Sequence, residues 1–348
     1  MSTVRSRAAE RTLMFEEAAD ASNAVRAQLQ YGSAAMRALG ATLRKLNPRA
    51  VITCARGSSD HAATYAKYLI ETHAQVLTAS AAPSVSSVYG VTQDVRGCLV
   101  LAISQSGRSP DLLATVASAK ASGATVLALC NSADSPLMAA ADLVIELHAG
   151  PERSVAATKS YLASLSAIAQ LVAAWKEDAQ LEAGLAQLPD LMDRSWALDW
   201  SAALPELESA ENLYVVGRGL GLSAAQEVAL KCKETCGIHA EAFSSAELRH
   251  GPFALLRKGF PALLLAQHDG TQPGIEALAI ELARRGVPVL LAGAYAAGSI
   301  SLPSVEAAAE LAPILLVQSA YRMIASLAVR RGLDPDRPPH LHKITETV

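Results

Sequence analysis

Three charged residues repeat at helical spacing in the second half of the chain: Glu227, Lys231 and Glu234. Residues three and four apart lie on one face of a helix, so the cation would lie between two carboxylates. We expect Gly237 to end this helix, and His250 follows soon after. A carboxylate beside a cation, with an imidazole of adjustable charge, can move protons on a sugar carbon. The alternative is a salt-bridged surface stripe, which is the commoner outcome for such spacing.

The segment after Gly237 is predicted to form a second short helix. Ser244 and Glu247 have the spacing of a capping box, and Gly251-Pro252 would close the helix. Many titratable groups therefore fall within one stretch of a chain that is only 18% charged, which indicates a site. These groups are Glu227, Lys231, Glu234, His239, Glu241, Glu247 and His250.

Two serine-rich turns follow apolar runs in the first half of the chain, and they could bind an anion. Each leads into a predicted helix, and Ser109 before Pro110 has the pattern of a helix start. Hydroxyls and free backbone N–H groups at a helix N-terminus stabilise a phosphate monoester. A capped polar turn without a ligand is the alternative, and the chain lacks the Gly-Lys-Ser/Thr of a nucleotide P-loop. The candidate ligands are Arg56, Gly57, Ser58, Ser59, Ser104, Gln105, Ser106 and Ser109.

Short apolar runs alternate with helical segments along most of the chain. They begin near residues 50, 98, 125 and 143, again near 212, 261 and 287, and a further strand is expected near Ile314. This alternation predicts right-handed βαβ units with parallel sheets. Arg218-Gly219 echoes Arg56-Gly57, so we expect two similar α/β sandwiches in tandem. The repeat explains Gly217-Arg-Gly-Leu-Gly better than a dinucleotide site does, because the spacing is not G-x-G-x-x-G.

Composition excludes several functional classes. A net charge of −3 without a basic block does not favour nucleic acid, and 348 residues suit two domains. The N-terminus has no apolar signal region and no uninterrupted apolar run reaches membrane-span length, so we expect a cytoplasmic protein without a membrane partner. Five cysteines, mostly in apolar runs, are expected to be reduced core residues. Neither Cys232 with Cys236 nor the histidine spacing indicates a metal.

These motifs resemble those of the sugar isomerase (SIS) domain family, closest to the isomerase half of glucosamine-6-phosphate synthase and its shorter relatives. The resemblance covers about residues 40 to 348. The matching motifs are Ser104-Gln-Ser-Gly, Val155-Ala-Ala-Thr-Lys159, Glu227-x-x-x-Lys231-x-Lys-Glu234, His239-Ala-Glu241, Glu247-Leu-Arg-His250-Gly-Pro and the tail lysine Lys343.

The resemblance implies an α/β fold of two tandem SIS domains. Each would be a parallel five-stranded sheet flanked by helices, in a flavodoxin-like three-layer α/β/α arrangement. The expected segments are an N-terminal helical segment (1–40), the first SIS domain (41–176), a helical linker (177–200), the second SIS domain (201–333) and a C-terminal tail over the active site (334–348).

The resemblance also implies roles for individual residues. The serine turns would hold a sugar phosphate, with Val155 against the sugar. Glu234 would move a proton between C1 and C2, with Lys231 nearby to keep it ionised. His250 would open the sugar ring from the partner subunit of a homodimer, and Lys343 would fold over the open-chain sugar. No cofactor is required.

The chain also departs from the synthase pattern. Arg108 replaces an acidic residue, Ser109 a threonine and His342 a small residue, and no cysteine precedes Cys54 to act as a glutaminase nucleophile. We therefore expect a chain that cannot take nitrogen from glutamine and that converts glucosamine 6-phosphate to fructose 6-phosphate and ammonia. The alternatives are a galactosamine-6-phosphate deaminase/isomerase, another phosphosugar isomerase, a deglycase, a synthase subunit using a partner's ammonia, or a non-catalytic phosphosugar-binding regulator.

Overall fold

The structure, a computed structural model, describes residues 9–343. Residues 1–8 and 344–348 lie outside the described residues, and with them the beginning of the predicted N-terminal segment and the end of the predicted tail. The first sheet contains β1 (Val51–Cys54), β2 (Thr78–Ser80), β3 (Leu99–Ser104), β4 (Thr125–Cys130) and β5 (Leu143–Glu146). The second contains β6 (Asn212–Gly217), β7 (His239–Ser244), β8 (Ala262–Leu265), β9 (Val289–Ala292) and β10 (Ile300–Leu302).

Both sheets are parallel and have the same strand order. The first runs β2-β1-β3-β4-β5 and the second β7-β6-β8-β9-β10. This order is the flavodoxin-like form of a doubly wound sheet. All residues of β3, β8 and β9 are buried, because a parallel sheet covered on both faces takes apolar residues at consecutive positions. The predicted fold class of two five-stranded α/β sheets is therefore confirmed.

Helices follow or precede the strands throughout the described chain. In the first half they are α1 (Leu13–Ala19), α2 (Ala21–Ala27), α3 (Ser33–Leu46), α4 (Ser58–Leu69), α5 (Ser84–Ser87), α6 (Pro110–Ala121), α7 (Pro136–Ala140) and α8 (Lys159–Lys176). In the second half they are α9 (Ala179–Ala197), α10 (Leu204–Leu207), α11 (Gly221–Cys236), α12 (Gln272–Arg284) and α13 (Ala312–Arg330).

The described chain divides into two compact units that do not follow chain order. The β1–β5 unit comprises Asn23–Pro151 and Ala163–Ala186. The β6–β10 unit comprises the chain up to Ser22, Glu152–Leu162 and Gln187–Lys343. Val155 therefore belongs with α11 and the tail, although it precedes them by many residues. The domain boundaries given above remain a prediction.

The segment after Gly237 differs from its prediction. Gly237 does end α11, with a left-handed φ of 62° and an N–H bonded to Cys232 O. The next residues form β7 rather than a helix, and Ser244 is the last residue of that strand. The predicted capping box is therefore wrong: a short 3-10 helix begins at Glu247, and its N-cap residue is Ala246, which has no side-chain acceptor.

The strand expected near Ile314 is also wrong, because Ile314 lies in α13. This helix is long and apolar enough to cross a membrane, but 83% of its most apolar stretch is buried inside the structure. A helix that is apolar on every side is typical of a protein core, which explains why its sequence resembles a buried strand. The five cysteines all lie in the described residues, where they are buried and free, as predicted.

Candidate active site

Lys231 lies between two carboxylates on α11, as its spacing predicts. Its Nζ is 3.6 Å from Glu227 Oε1 and hydrogen-bonded to Glu234 Oε2. The Tyr321 hydroxyl of α13 donates to Glu227 Oε1 at 2.8 Å. The side chains of Lys231 and Glu227 are 1% and 0% exposed, whereas that of Glu234 is 21% exposed. The surface-stripe alternative is therefore wrong, and Glu234 is the member of this trio that a solute can reach.

The charge of Lys231 follows from its surroundings. Burial by itself lowers the pKa of the ammonium, but the charges of Glu227 and Glu234 outweigh it, and the pKa is raised above its ordinary value. Lys231 is therefore a cation at neutral pH. Burial and the charge of Glu227 raise the pKa of Tyr321 well above its ordinary value, so the phenol remains a hydrogen-bond donor.

The tail lysine Lys343 is bound in the same unit. Its Nζ is 3.3 Å from Glu152 Oε2 and donates to Ser154 O at 2.7 Å. The Glu152 side chain is fully buried and also accepts from the Ser160 hydroxyl and from the N–H groups of Thr158 and Ser160. Burial raises the pKa of this carboxyl, but the Lys343 charge and these hydrogen bonds outweigh burial and lower it. The ionised Glu152 carboxylate therefore binds the ammonium of the tail lysine.

The other four titratable residues of this stretch lie at the surface, outside the buried cluster. His250 is exposed at the end of the 3-10 helix Glu247–His250, and Glu247 is exposed as well. His239 and Glu241 are exposed positions of β7, and the His239 ring lies 3.3 Å from Asn212 Oδ1. Of the predicted group of seven titratable residues, the structure thus gathers the three on α11 and leaves the other four at the surface.

The two serine turns lie at the carboxyl ends of two adjacent strands of the first sheet. β1 and β3 are adjacent parallel strands, so the turns after them lie side by side. Arg56 Nε and Nη2 bind Oδ2 of buried Asp111 at 2.9 and 2.7 Å, which ties the first turn to the start of α6. Ser104 Oγ accepts from the Gly107 N–H at 2.9 Å within the second turn. Arg56 is therefore a bridge between the two turns, and its role as a phosphate ligand stays a prediction.

The shape of both turns depends on glycine. Gly57 has φ 55° and ψ −133°, a conformation that residues with a Cβ rarely adopt. Gly107 has φ 64°, and a Cβ there would lie 2.6 Å from the Cβ of Ser135. Ser109 occupies the N-cap of α6 as predicted, and within the described residues its hydroxyl makes no capping bond to the helix. Pro110, the first residue of α6, has no N–H. The N–H groups of Ser59 and Asp60 in α4 and of Leu112 in α6 already have acceptors within their own turns. An anion would therefore rely mainly on the hydroxyls of these turns.

The second sheet has a turn at the position equivalent to the Ser104 turn, after β8. There Asp269 Oδ1 accepts from the N–H and hydroxyl of Thr271 at 2.7 and 2.5 Å, and Asp269 Oδ2 accepts from Gln267 Nε2 at 2.8 Å. The Asp269 carboxylate therefore already accepts from the donors of this turn, which leaves fewer of them for an external anion. Of the two equivalent turns, the one after β3 is the better candidate for an external anion.

The sequence patterns give no role to three residues in these contacts: Asp111, Glu152 and Tyr321. Glu152 lies three residues before Val155 and Asp111 two after Ser109, so proximity to a motif was a usable signal for these two. Tyr321 lies far from every motif in sequence and carries no such signal.

Comparison with known proteins places the chain in a family. The model of the SIS domain matches residues 46–174 and 206–313. Glutamine–fructose-6-phosphate aminotransferases (isomerizing) from Sulfurisphaera tokodaii and Aeropyrum pernix are 32% and 34% identical over 300 and 308 residues, or 85% and 82% of this chain. The chain spans about half the length of these relatives, 50% and 49% respectively.

Solved structures agree with this assignment. A candidate phosphosugar isomerase from Silicibacter pomeroyi has a TM-score of 0.90 and 39% identity, covering 93% of this chain and 100% of its own. The C-terminal domain of the glucosamine-fructose-6-phosphate aminotransferase from Francisella tularensis has a TM-score of 0.83 and 27% identity, with coverages of 94% and 98%. A glucosamine-6-phosphate deaminase from Thermotoga maritima shares the fold at 23% identity, with a TM-score of 0.77 and coverages of 97% and 100%. The chain belongs to the SIS domain family.

Proposed function

We propose that the chain is a phosphosugar isomerase of the SIS type that converts glucosamine 6-phosphate and water to fructose 6-phosphate and ammonia. The observation that carries this proposal is Glu234, a partly exposed carboxylate paired with the buried cation Lys231. Such a carboxylate is suited to take a proton from carbon and return it to the neighbouring carbon. The aminotransferase relatives and the deaminase of the same fold favour an amino-sugar phosphate as substrate.

In the proposed reaction, His250 assists ring opening and Glu234 removes the proton from C2 of the open-chain sugar. The resulting enolamine takes the proton back at C1, which leaves an imine at C2. Water then hydrolyses the imine, so the C2 nitrogen leaves as ammonia and C2 becomes the ketone of fructose 6-phosphate. Lys343 closes over the open-chain sugar and Val155 contacts it. The phosphate is assigned to the two serine turns, whose hydroxyls suit an anion.

Ammonia release tests this proposal directly. The purified chain should release one ammonia for each fructose 6-phosphate formed from glucosamine 6-phosphate, measured by coupled assays for both products. Galactosamine 6-phosphate and phosphosugars without nitrogen serve as comparison substrates. Isomerisation of a phosphosugar without ammonia release would mean that the chain is a simple isomerase and not a deaminase. No conversion of any phosphosugar would contradict the enzyme proposal.

We also propose that the active form is a homodimer in which His250 serves the partner subunit. The support is its exposed position on its own chain, which leaves the ring free to contact another molecule. Light scattering coupled to size exclusion, at the protein concentration of the activity assay, should give a dimer. A monomer with full activity would contradict this arrangement.

A further inference from the structure

The segment that contains Ser154 is held by the N-terminal helix α1. The Glu17 carboxylate of α1 accepts the N–H of Arg153, and its Oε2 accepts the N–H of Ser154 at 3.1 Å. In the same peptide segment, Ser154 O accepts from Lys343 Nζ. Glu17 and the tail lysine are therefore connected through one stretch of backbone.

The tail is tied to α1 at a second point. Asp336 accepts the N–H groups of Leu13 and Met14 at 2.9 Å each, and so caps the first turn of α1. Asp336 O in turn accepts from the Val155 N–H at 3.2 Å. Three pieces distant in sequence, namely α1, residues 152–155 and the tail, thus form one connected structure within the β6–β10 unit.

Two buried carboxylates lie near the Lys343 ammonium. Glu152 contacts the ammonium directly. Glu17 is only 9% exposed, and the charges of Glu152 and Lys343 both act on its carboxylate. Removing a carboxylate from water is unfavourable unless hydrogen bonds and counter-charge offset the lost hydration. The Lys343 charge favours the ionised form of both carboxylates, although burial still raises the pKa of Glu17 above its ordinary value.

We propose that Glu17 and Glu152 are positioning residues for Lys343. Glu152 holds the ammonium, and Glu17 fixes the backbone that supplies its second acceptor, Ser154 O. This inference rests on the proposed function, in which Lys343 closes over the substrate. It makes α1, which lies outside both segments matched by the SIS domain, a part of the active-site structure.

Amine labelling tests this positioning without any substrate. The intact protein is treated briefly with an acylating reagent, and the extent of modification of Lys343 is measured by mass spectrometry. Glu17→Gln places an amide N–H₂ where a backbone N–H now donates, so Lys343 should be labelled several-fold faster than in the wild type. Glu16→Gln, an exposed neighbour on the same helix, is the matched control and should leave the rate unchanged. Exposed Lys233 is the internal reference.

Kinetics separate positioning from a general structural role. In Glu17→Gln we expect kcat to fall about tenfold or more, because the lysine is displaced, while KM changes little. In a Lys343→Ala background, Glu17→Gln should cause no further fall in kcat, because the two residues act through the same group. A purely structural Glu17 would lower activity equally in both backgrounds.

The outcomes distinguish this inference from the proposed function. Unchanged labelling of Lys343 in both Glu17→Gln and Glu152→Gln overturns the positioning role, whatever the enzyme does. Faster labelling with no ammonia release from the wild type supports the positioning role and contradicts the deaminase. If Glu17→Gln fails to fold in a urea titration, Glu152→Gln decides, because its expected effect on Lys343 is direct.

Discussion

Replacing Lys231 by methionine should lower the free energy of unfolding by about 3–5 kcal/mol. Methionine keeps most of the aliphatic stem but removes the ammonium that lies between Glu227 and Glu234. Glu227 is fully buried, and in the variant it would retain the Tyr321 hydroxyl but lose its cation. An uncompensated buried carboxylate is among the costliest defects that one substitution can create. Urea titration at pH 7 measures the loss.

Lys233→Met on the same helix is the matched control, because Lys233 is exposed and its replacement should change stability by less than about 0.5 kcal/mol. Since the pKa of Lys231 is raised in the folded chain, its stabilisation is complete below the ordinary lysine value of 10.5 and is lost only as pH rises through the raised pKa. The full effect is therefore expected at pH 7. Adding Glu227→Gln to Lys231→Met should restore part of the stability. A loss below about 1 kcal/mol in Lys231→Met would contradict the buried ion cluster.

Short apolar runs and helical periodicity are sufficient to predict most of the fold. The runs near residues 50, 98, 125 and 143 are β1, β3, β4 and β5. The first three are apolar because they are mostly buried within the parallel sheet, whereas β5 lies at its edge and is only partly buried. The short strands β2 and β10, of three residues each, offer too little pattern to be recognised. Strand β7 carries exposed His239 and Glu241 at the edge of its sheet, and these polar residues concealed it.

The candidate site was predictable only where its residues are close in sequence. The three charges of α11 share a helix, so their spacing alone implies their contact. The contacts around Lys343 join α1, Glu152 and the tail. In these contacts, Glu17 is separated from Ser154 by 137 positions. Such a contact depends on how the whole unit packs, and local pattern carries no information about it. For the same reason the Ser244–Glu247 spacing matched a capping box that the sheet does not allow.

Of the three charged residues on α11, Glu227 is expected to serve stability and Glu234 catalysis. The Glu234→Gln variant tests the catalytic role. Glu227 is fully buried and serves to hold Lys231, so its replacement should act mainly on stability. Glu234 is 21% exposed, and glutamine retains an oxygen that can accept from Lys231, so this variant should fold. Its kcat should fall by about 10²–10⁴, because the amide cannot carry the proton between C2 and C1.

Two measurements separate lost chemistry from lost binding in Glu234→Gln. Calorimetric titration with glucosamine 6-phosphate should give an affinity close to that of the wild type, because Glu234 is not among the residues assigned to the phosphate. Proton NMR in deuterium oxide should show that exchange of the C2 hydrogen, expected in the wild type, is abolished. Glu241→Gln, an exposed position of β7, is the control and should retain both exchange and turnover. Exchange at the wild-type rate in Glu234→Gln would assign the base to another residue.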